Sequence, residues 1–336
     1  MRKFIFVVIL FLGVALVILS FGELGNILQT VKRGNPWYLL LALCIQFAWF
    51  FVIGRMFRSI FRLLGMDEST LTLSLIAVAV TFINVVAPTA GMGGVALFAA
   101  EAKRRGHPSG KATVAAALFL LFDEAAFLCI LALGLVVLSR RNNLSAGEIT
   151  ASLILFSIAC AIAAMLYLGY RSAVTLGNVL AAMARLVNRF VQFFIHRNYL
   201  SEERAHEFAR EIADGLSGIT KHPVHLLRPI LWGLLNKALL MSVLGCSFLA
   251  FNVPYSAGTL IGGFSIGYLF MIVSPTPSGI GVVEGVMALA LASLSVDWSQ
   301  SVVVTLAYRA FTFWVPLGVG ALAFRKLNLS AVRAEN

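Results

Sequence analysis

Two stretches that contain glycine and proline decide the fold of this chain. They read Val86-Ala87-Pro88-Thr89-Ala90-Gly91-Met92-Gly93-Gly94-Val95 and Val273-Ser274-Pro275-Thr276-Pro277-Ser278-Gly279-Ile280-Gly281-Val282. Pro88 and Pro275 lie 187 residues apart, and each stretch interrupts a long apolar segment. Backbone polar groups in a bilayer must pair inside the protein, so such breaks are tolerated where protein or a water-filled cavity surrounds them. Two breaks at corresponding places predict a transporter-like protein built from two halves.

Composition places the chain among polytopic membrane proteins. Of its 336 residues, 60% are hydrophobic and 12% are charged, and the mean hydropathy is +0.92. These values lie far from the average of soluble domains. The net charge of +11 comes mostly from Lys and Arg in short segments between apolar stretches, as expected for anchors that face anionic lipid. No basic domain or recognition motif accompanies this charge, so we expect no nucleic-acid partner.

Apolar segments long enough to cross a bilayer recur along the chain. The first, from Phe4 to about Leu19, follows a basic N-terminus and resembles a signal peptide. Its apolar run is longer than that of a usual signal peptide, so we interpret it as an uncleaved helix with a cytoplasmic N-terminus. The other segments run roughly from Trp37 to Ile53, Lys111 to Leu138, Ile149 to Tyr170, Leu226 to Phe251 and Ser301 to Phe324. About 20 residues suffice to cross the hydrocarbon core, so each segment is a predicted span.

The distribution of basic residues predicts how the two interrupted regions, about Leu71–Ala100 and about Ala257–Val296, meet the membrane. With the N-terminus inside, the basic segments before and after the first region both stay cytoplasmic only if that region enters and returns. Continuing the count, the second hairpin opens outward and the C-terminus lies inside. Lys32-Arg33 and Arg140-Arg141 would then lie outside, against the rule. The alternative is that each hairpin arm is an ordinary kinked helix.

The expected fold class is therefore all-α, a single transmembrane domain over residues 1–336 with about eight helical elements. These elements form two inverted repeats, about 1–140 and about 149–326, each with a re-entrant hairpin broken by Pro and Gly. Residues 171–225 form an amphipathic cytoplasmic insert. Its first helix, Asn178–Arg197, is predicted to lie at the membrane interface, and its second, Ser201–Ile219, is predicted to link the halves. We expect a multi-pass protein of the plasma (inner) membrane with both termini in the cytoplasm.

Other kinds of site are not favoured by the sequence. The four cysteines fall in apolar segments without CxxC spacing, so we expect small core residues. His222 and His225 are close, but no carboxylate or cysteine pattern completes a metal site. The glycines from Gly91 to Gly94 lack the Lys-Ser/Thr of a P-loop, and a Gly-x-Ser-x-Gly nucleophile elbow is missing. We expect no metal, no cofactor and no enzymatic activity.

Polar residues inside the apolar segments are the candidates for function. They are Asn84, Asp123, Glu124, Asn236, Lys237, Glu284 and Arg309. A charge at the bilayer centre costs about 2.5–3.5 kcal/mol on insertion scales, so such residues usually face the bundle interior, pair, and mark a substrate or ion path. The pair Asp123-Glu124 falls near the position related to Arg309 in the other half, so the halves carry opposite charge at related positions and we expect these groups to meet beside the hairpin tips. The alternative is a Glu284–Arg309 pair that only fixes helix packing.

We assign these residues to two groups by role. The predicted substrate-binding residues are Asn84, Pro88, Gly91, Gly93, Lys237, Pro275, Gly279, Gly281, Glu284 and Arg309. Glycines permit sharp turns, and helix ends at such turns offer free N–H groups to an anionic headgroup. Asp123 and Glu124, together with Glu284, are predicted to balance the basic groups or to bind a coupling proton.

The second hairpin and the last span carry a family resemblance. The segment Ser274–Glu284, followed by Tyr308–Leu317, resembles the signature of the lysylphosphatidylglycerol synthase transmembrane family, also called the flippase-like or UPF0104 family. The first proline-glycine turn and Asp123-Glu124 are similar to the N-terminal half of that family, so the resemblance covers nearly the whole chain. The second turn reads Pro-Ser-Gly where the family often has Pro-Gly-Gly, and an acidic-basic pair common after the first turn is missing.

The resemblance implies a lipid flippase that moves a polar lipid, anionic or isoprenoid-linked, between leaflets. Membrane lipids are then the expected partners, and a second copy of the chain or a separate lipid-synthesising enzyme is a further expected partner. In full synthases of the family a soluble aminoacyl-transfer domain follows the membrane part. This sequence ends at Asn336, about a dozen residues after the last span, so we expect no such domain. The alternatives are a membrane enzyme or accessory subunit of lipid or glycan synthesis, an ion-coupled carrier of small solutes, and a structural scaffold.

Overall fold

The computed structural model describes residues 30, 32–86, 92–141, 146–195, 201–216, 226–274 and 276–335. These residues form helices and turns and contain no β-strand, which confirms the all-α class. The main helices are, in chain order, α1 (Pro36–Leu63), α2 (Thr70–Val86), α3 (Met92–Arg104), α4 (Ser109–Arg140), α5 (Ala146–Arg171), α6 (Ala173–Ile195), α7 (Glu202–Leu216), α8 (Leu227–Ala250), α9 (Ala257–Val273), α10 (Val282–Ser293), α11 (Trp298–Arg309) and α12 (Val315–Glu335). A short 3₁₀ turn, Pro277–Gly279, precedes α10, and a π-helical segment, Ala310–Trp314, joins α11 to α12.

Within the described ranges, five helical segments are long and apolar enough to cross a membrane, which confirms a polytopic membrane protein. Local sequence explains where the first of them begins and why it is longer than predicted. Asn35 accepts a hydrogen bond from the Trp37 N–H at 3.0 Å, and Pro36 occupies the first helical position. The helix continues ten residues beyond the predicted end at Ile53, because the arginines that follow are good helix formers. It ends at Leu63.

Helices from the two predicted halves pack in reciprocal pairs. The first arm of the first hairpin, α2, packs against α12, and the first arm of the second hairpin, α9, packs against α4. Helices α1 and α8 run antiparallel: the Asn35 N–H donates to the Ala250 carbonyl at 2.7 Å, and the Arg55 guanidinium lies 5.3 Å from the centre of the Trp232 ring. In each reciprocal pair, the first arm of one hairpin packs against the last helix of the other half, which is the symmetry expected of two related halves. The two-repeat organisation and its boundaries stay predictions.

Both ends of the first hairpin lie at one end of the molecule. Glu68, just before α2, is 3.9 Å from Arg105, just after α3. Nearby, the Lys111 ammonium at the start of α4 donates to the Leu64 carbonyl at 3.0 Å. Leu64 follows the last residue of α1, a 28-residue helix about 42 Å long, so this end is far from Asn35. Helices α2 and α3 are about 26 and 20 Å long, shorter than the hydrocarbon core.

Both ends of the second hairpin lie at the opposite end. Arg141, just after α4, donates from Nη1 to the Leu294 carbonyl at 3.0 Å and from Nη2 to the Ser256 hydroxyl at 3.3 Å. Leu294 follows α10 and Ser256 precedes α9, so one arginine closes the base of this hairpin. Since α4 is about 48 Å long, Arg141 and Lys111 mark opposite ends of the molecule. We call these the Asn35 end and the Leu64 end.

The insert is more closely integrated into the bundle than the sequence predicted. Its second helix, α7, packs against α4 and α5 as well as against α6, and buries Ala209, Ile212 and Leu216. The prediction of a simple link between the halves missed this contact, because the apolar face of α7 is short. The predicted first span and the pair His222 and His225 lie outside the described residues.

The cysteine prediction is wrong for three residues. Cys44, Cys129 and Cys160 are free and exposed on the outer faces of apolar helices, whereas Cys246 is free and buried. The outer surface of a membrane protein is apolar, so an apolar segment does not by itself place a small residue in the core.

Gly320 marks the close approach of α12 to α2. A methyl group added there would lie 2.6 Å from the Val78 carbonyl oxygen and 2.8 Å from Phe82 Cβ, whereas one added at Gly318 would meet nothing within 4 Å. We therefore expect Gly320→Ala to lower the free energy of unfolding by about 1–3 kcal/mol, measured by thermal unfolding in detergent. Gly318→Ala is the matched control and is expected to be neutral or stabilising by up to about 1 kcal/mol. Equal shifts for both variants would contradict the α2–α12 contact.

Candidate functional site

A cavity of about 800 Å³ lies where the tips of the two hairpins approach the long helices. Asn84 and Gly94 of the first hairpin and Ser278 of the second line this cavity. The long helices and α9 contribute further polar side chains, among them Asp123, Asn236, Tyr268, Tyr308 and Arg309. The cavity therefore joins both helix breaks to most of the polar residues found in apolar segments.

Asp123 is the centre of a buried network that joins α4, α8 and α9. Its Oδ1 accepts from the Asn236 side-chain amide at 2.6 Å, and its Oδ2 accepts from the Lys237 ammonium at 2.7 Å. Lys237 is fully buried, also donates to the Tyr268 hydroxyl, and lies 4.1 Å from the centre of that ring. An isolated buried charge is strongly destabilising, so Asp123 compensates Lys237. Asp123 lines the cavity and Lys237 does not, so the carboxylate is the member that faces the ligand space.

Arg309 joins the tip of the second hairpin to the last span. Its Nε donates to Oε1 of Glu284, and its Nη2 donates to the Ser278 carbonyl at 3.2 Å. The guanidinium carbon lies 4.5 Å from the centre of the Phe313 ring. Only 1% of Arg309 is exposed, yet it lines the cavity, while Glu284 lies behind it in the first turn of α10. A carboxylate at that place also complements the positive end of the helix dipole.

Different interactions hold the described residues beside the break in each hairpin. In the first, Asn84 at the end of α2 accepts the Gly94 N–H at 3.1 Å and so satisfies a free donor in the first turn of α3. In the second, Ser278, Gly279 and Gly281 have positive φ angles of 51°, 71° and 77°. Glycine adopts this region without steric cost, so the two glycines permit the sharp turn that the sequence predicted for them.

The predicted site residues occupy different places relative to the cavity. Asn84, Asp123 and Arg309 line it, whereas Lys237 and Glu284 lie behind their partners. The remaining predicted residues lie elsewhere in the fold or outside the described residues. Gly279 and Gly281 form the second tip, Glu124 is buried outside the lining, Gly93 lies in the first turn of α3, and Pro88, Gly91 and Pro275 lie outside the described residues.

Two details of the predicted charge arrangement differ from the structure. Lys237 does not point at the ligand space, because its ammonium is held by Asp123 and Tyr268. Asp123 and Arg309 do reach the same cavity, but each pairs with another residue, Asp123 with Lys237 and Arg309 with Glu284. The position of a charge within an apolar segment indicates its depth in the membrane. The rotation of the helix about its axis, which decides what the side chain faces, is not evident from the sequence.

Sequence reasoning missed two cavity residues, Tyr268 and Tyr308. Both are buried, and the hydroxyl of Tyr268 belongs to the Lys237 network. Tyrosine belongs to the hydrophobic residues of an apolar span, so neither position stands out in the sequence. The available signal was a hydroxyl group at membrane depth, which needs a partner when it is buried.

Comparison with known proteins identifies the family of this chain. The profile of the lysylphosphatidylglycerol synthase transmembrane region matches residues 4–320. The chain belongs to this family. A UPF0104 membrane protein of Methanocaldococcus jannaschii is 23% identical over 326 residues, which are 96% of this chain and 94% of the relative. These findings confirm the resemblance drawn from Ser274–Glu284 and Tyr308–Leu317, and with the apolar helices they establish a multi-pass membrane protein of the lysylphosphatidylglycerol synthase transmembrane family.

The Asp123–Lys237 pair predicts a specific pattern of stability changes. Lys237→Met leaves Asp123 without its cation, and we expect a loss of about 3–5 kcal/mol in the free energy of unfolding. The double variant Asp123→Asn with Lys237→Met removes both charges and is expected to recover much of that loss. Thermal unfolding in detergent measures the coupling, with Lys111→Met at the Leu64 end as the control for loss of a lysine. Strictly additive losses from the two single variants would contradict a paired network.

Proposed function

We propose that this protein is a lipid translocase, which moves a polar lipid with an anionic or isoprenoid-linked headgroup between the leaflets. The observation that carries this proposal is one cavity shared by the tips of two hairpins that open at opposite ends. Such a cavity gives a headgroup polar partners in the middle of the membrane, where an unpaired polar group is costly. Broken helices around a central site are a recurring arrangement in secondary transporters.

Exchange of charged partners is the proposed means of headgroup binding. Arg309 holds Glu284 and the Ser278 carbonyl, so a phosphate oxygen that takes the guanidinium would also loosen the second tip. In the first tip, the oxygen of Asn84 is used by Gly94, so its amide N–H groups are the donors toward a headgroup. If the headgroup makes better contacts with the loosened tip than with the closed tip, its binding shifts the population toward the loosened position.

We propose Glu124 and Glu284 as the binding sites of a coupling proton. Each of these carboxyl groups has a buried Oε2 without a hydrogen-bond partner among the described residues. Protonation of either Oε2 would remove the charge of a buried carboxylate and turn its unpaired acceptor into an O–H donor.

Family membership supports a role in lipid metabolism, since the matching profile is named for the membrane region of a lipid synthase.

We propose that the Leu64 end faces the cytoplasm of a cell whose plasma (inner) membrane holds the protein. That end carries the basic residues Arg58, Arg62, Lys103, Arg104, Arg105 and Lys111. Lys32, Arg33, Arg140 and Arg141 are exceptions at the other end. The hydrogen bonds of Arg141 to Leu294 and Ser256 give that residue a structural reason to be there. Membrane lipids are the proposed partners, and a second copy of the chain or a separate synthesising enzyme is a further proposal.

Translocation can be measured in proteoliposomes with fluorescent anionic and zwitterionic lipids, using dithionite to bleach the outer leaflet. We expect the intact protein to speed bleaching of the inner pool, and Glu284→Gln and Arg309→Gln to reduce that rate at least tenfold because each breaks the pair at the second tip. Arg58→Gln removes a charge that pairs with the exposed Asp67 at the Leu64 end, and is expected to leave the rate unchanged.

Folding of each variant is checked by its thermal transition before the rates are compared. Bleaching that matches empty liposomes for every lipid tried would contradict the translocase proposal. In that case turnover in detergent tests the membrane-enzyme alternative, and uptake that collapses with an ion gradient tests the solute-carrier alternative.

A further inference from the structure

The cavity has two chemically different parts. Its polar part lies at the hairpin tips, but its lining continues along several helices toward the Leu64 end. On α4 the lining residues run from Asp123 back to Thr113, a distance of about 15 Å along the helix. On α1 they run from Trp49 to Phe57, which also lies toward the Leu64 end. A ligand bound at the tips therefore has a long apolar extension toward the Leu64 end.

Aromatic rings dominate this extension. Phe57 stacks on Phe98 with ring centres 4.7 Å apart and on Phe119 with ring centres 4.0 Å apart. All three rings line the cavity, together with Phe208 from α7. We call Phe57, Phe98, Phe119 and Phe208 the aromatic arm. Flat rings side by side provide an apolar wall of low conformational entropy, which suits contact with a chain of CH₂ or isoprene groups.

Helix α7 places Phe208 at the mouth of this arm. The neighbouring residues Ala209, Ile212 and Leu216 are buried in the bundle, so α7 is held firmly while Phe208 stays 36% exposed. Among the lining residues that the structure describes, only Ala96, Leu120 and Phe208 are exposed, and they come from α3, α4 and α7. The cavity therefore opens between these three helices, on the side of the hairpin tips that faces the Leu64 end.

We propose that the aromatic arm binds the apolar chain of the translocated lipid and that Phe208 contacts this chain where it leaves the cavity. This inference rests on the proposed function, and it adds the chain, its direction and a contact residue from the insert. A lipid whose headgroup lies at the tips has its chain in the arm, because the arm is the apolar continuation of the same cavity. The insert then takes part in ligand binding, and its helix α7 selects ligands by their chain.

Photochemical capture tests this contact. Phe208→p-benzoylphenylalanine is introduced into the full chain in detergent, and an alkyne-tagged phosphatidylglycerol is added in increasing amounts before illumination. We expect capture at position 208 to saturate and to be displaced by excess untagged lipid. Met183 is the matched control, since it is exposed on α6 of the same insert and does not line the cavity. Capture at position 183 is expected to rise without saturation.

A blocking variant separates the arm from ordinary surface lipid. Ala116→Trp, and independently Thr113→Trp, add bulk to the lining of the arm without touching the charged pairs. Each is expected to reduce capture at position 208 at least fivefold and to leave capture at position 183 unchanged. Capture at position 208 that is unsaturable, or insensitive to both blocking variants in folded protein, would overturn the inference.

The two proposals fail in distinguishable ways. Saturable capture that the tryptophan variants block, found without accelerated bleaching in proteoliposomes, would support the chain site and overturn translocation. Accelerated bleaching with unsaturable capture at position 208 would support translocation and overturn the chain site.

Discussion

Every charge and every break in a helix must find its partner inside the protein when the surrounding solvent is hydrocarbon. This constraint governs the centre of the molecule. Lys237 is held by Asp123 and Tyr268, and Arg309 by Glu284 and the Ser278 carbonyl. The partners come from helices that are distant in sequence, so the pairs fix how the helices pack.

The same pairs give the cavity its chemical character. In each pair one member faces the cavity, Asp123 in the first and Arg309 in the second, while the compensating charge lies behind it. A ligand in this cavity would meet a carboxylate and a guanidinium whose charges are already balanced, and under the proposed function it would bind by exchanging partners. Because Arg309 also donates to the Ser278 carbonyl, that exchange would release a backbone contact of the second tip.

Much of the fold could be predicted from the sequence because the bilayer makes apolar length and basic charge informative. Predicted spans such as Lys111 to Leu138 correspond to long helices in the structure, and both hairpins return to the end at which they begin. The site was less predictable. Charges at depth identified Asp123 and Arg309, but the facing of Lys237 depends on the rotation of α8, and the cavity roles of Tyr268 and Phe208 depend on packing between distant segments. Neither kind of information is present in a local pattern.

The central claim is that two hairpins enter the membrane from opposite sides and meet at one cavity. Labelling of single cysteines from each side of the membrane tests it most directly, in a chain whose four native cysteines are replaced. We expect cysteines at the exposed positions Asp67 and Lys103, which flank the first hairpin, to react with an impermeant maleimide from one side only. Cysteines at the exposed positions Tyr255 and Ser299, which flank the second, are predicted to react only from the other side. Reaction of Asp67→Cys and Lys103→Cys from opposite sides, or of all four from the same side, would contradict the account.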